Sequence, residues 1–190
     1  MAISQSMTAE QFVAERDELP DGGRWVELAA GQLVTLSPPT IEHGTAVLNF
    51  TKQLATHTQS ARDGYACFEL GLLLRRQPDT LLFPAVSYFS GGPLFAESDK
   101  VYTESRPTLI VEVASTNDRR RGLDQRVSSW LQWGVPQVWV FDPQQKQVHV
   151  VAEGSGGYRL SIEQELWGQS ALPGFRMSVA DLFREPAWAK

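Results

Sequence analysis

The stretch from Thr108 to Pro143, TLIVEVASTNDRRRGLDQRVSSWLQWGVPQVWVFDP, decides the fold class of this chain. Its first part, LIVEV, is an apolar run typical of a strand that is covered on both faces. An arginine-rich amphipathic segment follows, and a second apolar run, QVWVF, comes after Gly134. A strand, a helix and a strand in this order predict a right-handed parallel crossover. We therefore predict a single α/β domain over residues 1–190 with a mixed central sheet and helices on its faces.

Glu112 lies inside the first of these apolar runs. A carboxylate has no packing reason to occupy a buried strand, and its removal from water is costly unless it is paired, protonated or bound to a cation. Glu112 is therefore the first candidate for a functional residue.

The composition of the 190 residues is that of an ordinary globular protein, with 42% hydrophobic and 21% charged residues. No apolar run approaches the roughly 18 residues that span a bilayer. The N-terminal sequence has neither the basic start nor the apolar core of a secretory signal. Cys67 is the single cysteine, which excludes an internal disulfide. We expect a cytoplasmic protein that has no association with membranes.

The net charge of −5 bears on the class of partner. Proteins that bind nucleic acid through contacts with many phosphates usually carry a net positive charge. Because this chain is acidic overall, any binding of DNA has to depend on local clusters of basic residues. The best of these are Arg75–Arg76 and Arg119–Arg121. A solvated turn and a solvated helix start explain the two clusters equally simply, and we favour that interpretation.

Hydrophobic periodicity and turn residues predict the remaining elements. Thr8 and Gln11 form a capping-box signal. In chain order we predict a helix over Thr8–Leu19, a hairpin of Trp25–Leu28 and Leu33–Leu36, a helix over Glu42–Gln59, a strand pair of Tyr65–Leu74 and Leu81–Phe89 turned at Gln77–Thr80, a helix with its apolar stripe on Leu123, Val127, Trp130 and Leu131, and an edge hairpin of Val148–Val151 and Tyr158–Leu160.

Four motifs in unbroken order resemble a known protein family. They are WVELAAGQLVTLSPPTIEHG from Trp25, FPAVSYFS from Phe83, LIVEVAS from Leu109 and GVPQVWVFDP from Gly134. Together they resemble the Uma-type family of restriction-endonuclease-like proteins, a branch of the PD-(D/E)xK nuclease superfamily, over residues 7–151. The resemblance implies a restriction-endonuclease-like core and, in intact members, metal-dependent hydrolysis of DNA phosphodiesters.

The chemistry implied by this resemblance needs several charged groups. Two or three carboxylates on neighbouring strands hold Mg²⁺ or Mn²⁺, which takes oxygen ligands. The metal lowers the pKa of a bound water and neutralises charge that develops on the phosphate. A lysine supplies a further positive charge.

The motifs match this set only in part. Glu112 matches the family's strand glutamate, and Glu27 matches the acidic residue of the N-terminal hairpin. The family's proline–aspartate falls on Pro84-Ala85, so the metal-binding aspartate is missing. The lysine position of the following helix holds Arg126. Arginine keeps the positive charge, and its planar guanidinium can bind a phosphate through two hydrogen bonds. Arginine cannot be deprotonated, so it cannot act as a base in hydrolysis.

Three further residues are candidates for binding the metal or the phosphate at this site. Glu69 could supply a third metal ligand, although pairing with an arginine is the commoner fate of such a residue. Asp79 follows Pro78 in a tight turn, which we interpret as turn chemistry. His43, at the start of a helix, could bind phosphate or orient a carboxylate, but we favour a capping or packing role.

Trp130 and Trp139 have the spacing of core residues.

Two functions stay open from the sequence. The first is a Mg²⁺-dependent endonuclease with a relaxed site, in which Glu112, Glu27 and Glu69 are the metal ligands and Arg126 is a phosphate clamp. The second is a catalytically inactive nuclease fold that acts as a binding or scaffold protein. A homodimer is expected in either case, because restriction-type folds often pair two sites and two-fold dimers are the commonest oligomers.

Overall fold

The structure is a computed structural model that describes residues 6–61 and 63–186. The helices are α1 Ala9–Glu15, α2 Ile41–Ala61, α3 Asn117–Arg121, α4 Leu123–Trp133 and α5 Val179–Leu182. The strands are β1 Val26–Ala29, β2 Gln32–Thr35, β3 Tyr65–Phe68, β4 Gly71–Arg75, β5 Thr80–Leu82, β6 Val86–Phe89, β7 Tyr102–Thr103, β8 Leu109–Val113, β9 Gln137–Asp142, β10 Gln147–Ala152, β11 Ser155–Leu160, β12 Glu165–Trp167 and β13 Arg176–Ser178. The predicted α/β class, with mixed sheets flanked by helices, is confirmed.

The central sheet has six strands in the order β11-β10-β9-β8-β6-β3. Its strands β8 and β9 are parallel and joined through α3 and α4, which confirms the predicted parallel crossover. Helix α2 covers one face, where the Phe50 ring lies 5.9 Å from that of Trp139 and 5.4 Å from that of Phe141. Helix α4 covers the other face, where Val127 and Trp130 pack with Ile110. Strand β8 is therefore buried along its whole length, as its apolar run predicts.

A second sheet has five strands in the order β2-β1-β5-β4-β7. Its presence corrects the prediction of one continuous strand pair over Tyr65–Leu74 and Leu81–Phe89. The outer parts of that pair, β3 and β6, lie in the six-stranded sheet, whereas β4 and β5 lie in the five-stranded sheet. The strands break at Glu69, whose φ is 49°, and at Pro84, which has no N–H for a strand ladder.

The local signals of the helix ends are largely confirmed. Thr8 and Gln11 form the expected capping box, although α1 ends at Glu15 and a 3₁₀ turn follows it. Gly134 ends α4 in the left-handed conformation, with φ 99°. The β12–β13 hairpin and α5 were not predicted. In the described ranges, no helix combines the length and the apolar character that a membrane crossing needs.

Candidate functional site

One arginine and two glutamates form a buried charge cluster where the two sheets meet. Glu27 lies on β1 of the five-stranded sheet, Glu112 on β8 of the six-stranded sheet and Arg126 on α4. Both glutamates are 4% exposed, and the Arg126 side chain is 14% exposed. The structure thus brings together the three residues that the sequence named first. We call them the Arg126 cluster.

The Arg126 guanidinium bridges the two carboxylates. Its Nε donates to Glu112 Oε1 at 2.6 Å. Its Nη1 and Nη2 donate to Glu27 Oε2 at 2.5 Å and to Glu27 Oε1 at 2.8 Å. Paired charge-assisted bonds of this kind are the strongest hydrogen bonds that side chains make.

Two further groups complete the polar contacts of the Arg126 cluster. Trp130 Nε1 donates to Glu112 Oε1 at 2.7 Å. The Phe83 backbone N–H donates to Glu27 Oε1 at 2.8 Å, and its carbonyl accepts from Arg126 Nη2 at 3.1 Å. Phe83 lies where β5 has ended and Pro84 follows, so the cluster supplies partners that a strand ladder does not provide there.

The periodicities of strand and helix place these side chains. Successive residues of a strand face opposite sides, so Val111 and Val113 pack toward the α2 side while Glu112 points toward α4. Residues four apart on a helix share a face, so Arg126 and Trp130 both reach Glu112. The geometry of the cluster therefore follows from two short sequence spacings.

The charges of the cluster do not cancel. Burial raises the pKa of Glu112, and the favourable charge of Arg126 only partly offsets this, while the charge of Glu27 adds to the increase. Burial alone would lower the pKa of Arg126, but Glu112 and Glu27 outweigh it and raise that pKa. One guanidinium between two carboxylates leaves one excess negative charge, which a proton on Glu112 would neutralise.

Two cavities adjoin the cluster. A large cleft of about 720 Å³ is lined by Glu27, Glu112 and Arg126, and also by Leu74, Arg75, Arg106, Arg119, Leu123 and Trp133. A small cavity of about 30 Å³ is lined by Glu27 and Glu112 together with His43, Glu69, Ala85 and Arg119. The large cleft has the volume of a small-ligand site, and the cluster forms part of its wall.

The donor set does not fit a magnesium centre. Both oxygens of Glu27 and Oε1 of Glu112 already accept hydrogen bonds from Arg126. Residue 85 contributes a methyl group to the small cavity where the family resemblance implies a carboxylate. Residues 6–61 and 63–186 contain no group of three His, Cys, Asp or Glu side chains that could hold a metal ion. Glu69 is exposed, although it lines the same small cavity.

Two other sequence candidates have structural partners. Asp79 is 5% exposed, and its carboxylate accepts bonds from Ala9 N–H at 2.8 Å and Gln77 N–H at 3.0 Å. It therefore holds the turn and the start of α1, in agreement with the turn interpretation. His43 Nδ1 lies 3.1 Å from Ser115 Oγ. Burial, with a contribution from the charge of Arg119, lowers the pKa of His43 to about 4.

Sequence reasoning missed two groups at this site. One is the Phe83 backbone, whose role depends on a strand break that Pro84 signals only weakly. The other is Arg119, which lines both cavities but was interpreted as part of a solvated cluster. The spacing of Arg126 and Trp130 could have predicted the indole–carboxylate contact.

Comparison with solved structures finds a protein of the same architecture. A crystal structure described as "a putative nuclease belonging to DUF820 from Anabaena variabilis ATCC 29413" matches with a TM-score of 0.76 at 17% sequence identity. The match covers 93% of this chain and 97% of that chain. An identity this low shows a shared fold.

Comparison of the sequence with models of protein families identifies the family of this chain. The family model of Uma2, described as "Putative restriction endonuclease", matches residues 13–180. This chain therefore belongs to the Uma2 family. A comparison with curated proteins gives no match.

The cluster predicts a strong dependence of stability on Arg126. Arg126→Met should lower the free energy of unfolding by about 3–5 kcal/mol, because it leaves two buried carboxylates and the Phe83 carbonyl without their donor. Urea denaturation at pH 7.5 followed by circular dichroism measures this loss. Arg121→Met is the matched control, since Arg121 is exposed and should change stability by less than about 0.5 kcal/mol. Similar small losses in both variants would show that the cluster is screened by solvent.

Glu112→Gln tests the excess charge of the same cluster. The amide oxygen can still accept from Arg126 and Trp130, and the negative charge is removed. Because the folded-state pKa of Glu112 is raised, ionised Glu112 costs stability as pH rises through that pKa. The stability of Glu112→Gln relative to the unaltered protein should therefore increase between pH 5 and pH 8. A difference that does not change with pH would contradict this.

His43 predicts a loss of stability in acid. The unfolded chain binds a proton near pH 6.5, whereas folded His43 does so near pH 4, so stability falls as pH drops through this interval. The loss from this residue approaches roughly 3 kcal/mol. His43→Asn keeps a polar partner for Ser115 and should flatten the pH profile of the unfolding free energy between pH 4.5 and 7. Superimposable profiles for the two proteins would refute the expectation.

Proposed function

We propose that this protein is a nuclease-family protein with a degenerate hydrolytic centre, and that it binds nucleic acid without cleaving it. The position of the Arg126 guanidinium between Glu27 and Glu112 carries this proposal. In a metal-dependent nuclease, the carboxylates of the centre are free to bind a cation. Here their oxygens are occupied by a side chain that belongs to the protein.

A guanidinium cannot replace the chemistry of a divalent metal. A metal ion accepts an oxygen ligand and generates a nucleophile from water, whereas the N–H groups of arginine only donate hydrogen bonds. Arg126 also stays protonated in the presence of two carboxylates, so it cannot act as a base. The cluster is therefore suited to hold the fold and to present charge at the wall of the large cleft.

Ala85 supports the same conclusion independently. The resemblance places a metal-binding aspartate at this residue, and the side chain present has no ligand atom. Ala85 lines the small cavity with Glu27 and Glu112, so the loss falls beside the cluster itself. A hard dication would find fewer anionic oxygens there and would bind less tightly.

Nucleic acid is the partner that membership of the Uma2 family supports best. The net charge of −5 means that binding must depend on the basic residues of the cleft. We propose a homodimer as the functional form, since two-fold pairing would present two clefts to one duplex.

A second candidate is a residual metal-dependent endonuclease. The arrangement of Glu27, Glu69 and Glu112 around one small cavity favours it. This function requires that Arg126 move away from both carboxylates when the nucleic acid binds.

A nicking assay separates the two candidates. With supercoiled plasmid and either Mg²⁺ or Mn²⁺, the unaltered protein should nick no faster than Glu112→Ala, because neither protein offers a free set of metal ligands. Agarose gels of the time course give the measurement. Nicking by the unaltered protein that Glu112→Ala abolishes would establish the residual endonuclease and end the proposal of a degenerate centre.

Restoration of the missing groups should create a metal site. The double variant Ala85→Asp with Arg126→Lys adds a carboxylate and removes the guanidinium that occupies the other two. We expect it to bind Mn²⁺ in calorimetry at least tenfold more tightly than the unaltered protein. The matched control is Ala85→Asn with Arg126→Lys, which has similar side-chain volumes without the added charge. Tight Mg²⁺ or Mn²⁺ binding by the unaltered protein would count against the proposal.

A further inference from the structure

We propose that Arg119 binds a phosphate group in the large cleft. The inference rests on the proposed binding of nucleic acid and identifies one residue that makes the contact. The ligand chemistry is a phosphate oxygen pair, either from an internal phosphodiester or from a terminal phosphomonoester.

Arg119 differs from the two arginines that follow it on α3. Arg120 forms a bidentate pair with Asp142, at 2.8 and 2.5 Å. Arg121 is exposed, and its Nε donates to the Asn117 carbonyl at 3.4 Å. The Nε atoms of Arg119 and Arg120 are both buried without a partner. Arg120 nevertheless holds Asp142 through its two Nη atoms, whereas among the residues that the structure describes no hydrogen bond or ion pair engages any part of the Arg119 guanidinium. Buried donors are normally satisfied, so an unsatisfied guanidinium indicates that a ligand completes it.

The location of Arg119 is specific as well. It is the single basic residue, over the described ranges, that lines both the large cleft and the small cavity. Glu27 and Glu112 line both cavities too, so Arg119 lies beside the cluster at the point where the two spaces meet. A phosphate on Arg119 would therefore lie near the remains of the hydrolytic centre.

The other charges of the large cleft favour an anion. Arg75 and Arg106 line it, and neither forms an ion pair within the described part of the chain, although the Arg106 guanidinium lies over the Trp133 ring at 5.9 Å from its centroid. Its carboxylates already have donors: Asp118 accepts from the Ser37 and Arg119 backbone N–H groups, and Arg126 holds the two glutamates. The cleft thus offers guanidinium groups that are not paired with a carboxylate, whereas each of its carboxylates already accepts hydrogen bonds. A planar guanidinium donates to two oxygens of one phosphate at once, which an ammonium cannot do.

Fluorescence anisotropy in EDTA tests the inference without any metal chemistry. The probe is a single-stranded oligonucleotide labelled at its 3′ end, prepared with a 5′-hydroxyl and with a 5′-phosphate, and titrated at several salt concentrations. Arg119→Gln should weaken binding about tenfold. It should also reduce the slope of log K against log salt by about 0.7, the value for one phosphate contact on a single strand.

Arg121→Gln is the matched control, because it removes the same charge from the same short helix at an exposed position. Its affinity should stay within twofold of the unaltered protein. Arg119→Lys keeps the positive charge but loses the planar guanidinium that can donate to two oxygens at once. This variant should therefore bind the oligonucleotide less tightly than the unaltered protein and more tightly than Arg119→Gln. It also supplies the comparison if circular dichroism shows that Arg119→Gln is unfolded.

The two probes distinguish the sources of phosphate. A preference for the 5′-phosphorylated strand that Arg119→Gln abolishes identifies a terminal phosphate, whereas equal weakening for both probes identifies an internal phosphodiester. Equal effects of the two glutamine variants, no effect of Arg119→Gln, or no binding by the unaltered protein would each overturn the inference. None of these results depends on cleavage. Absence of binding by the unaltered protein would also end the proposed binding of nucleic acid, whereas the other two results would overturn the Arg119 contact alone. A positive nicking assay would leave the Arg119 contact standing.

Discussion

The structure depends on one guanidinium that is held between two carboxylates in a largely buried site. Arg126 comes from the crossover helix, Glu112 from the central strand of the six-stranded sheet and Glu27 from the five-stranded sheet. The same guanidinium binds the Phe83 carbonyl, at the break where the chain passes from one sheet to the other. A single side chain thus links both sheets to the helix, beside the apolar contacts of Leu72 and Leu82 with Ile110 and Trp130.

Such a cluster is weak as a source of net stability and strong as a constraint on geometry. Removal of three charges from water costs free energy that their mutual attraction only partly returns, so well-packed apolar residues would often be as stable. Apolar residues could slide or repack, whereas Arg126 must meet Glu27, Glu112 and Phe83 at once. Any other arrangement of sheets and helix would leave a charge buried and unpaired, at a cost of several kcal/mol.

The sequence predicted the parts of the fold that local periodicity controls. The βαβ unit, helix α2, the β1–β2 hairpin and the αL cap at Gly134 all follow from short patterns. The division of one strand pair between two sheets could not be predicted, because Glu69 and Pro84 mark breaks without specifying what each half pairs with. Glu112 could be singled out from the sequence because an acidic residue in an apolar strand requires a partner, whereas Glu27 and Arg126 were named only through the family resemblance. The pairing of Glu27 with Arg126 could not be predicted, because two residues separated by 99 positions in the sequence give no local signal of contact.

Under the proposed function, Ala85 and Arg126 would be two parts of one physical change. With an aspartate at residue 85 and no metal bound, the centre would hold three carboxylates against one arginine, and the excess of two negative charges in a buried space would be costly. With alanine there, the excess falls to one charge, which Arg126 and the raised pKa of Glu112 can accommodate. With lysine in place of Arg126, a single ammonium could not make the three directed bonds that join Glu112 to both oxygens of Glu27. In a degenerate centre of the kind proposed, alanine at residue 85 and the guanidinium of Arg126 would therefore be compatible with each other, because the guanidinium supplies the positive charge that a bound cation would otherwise bring.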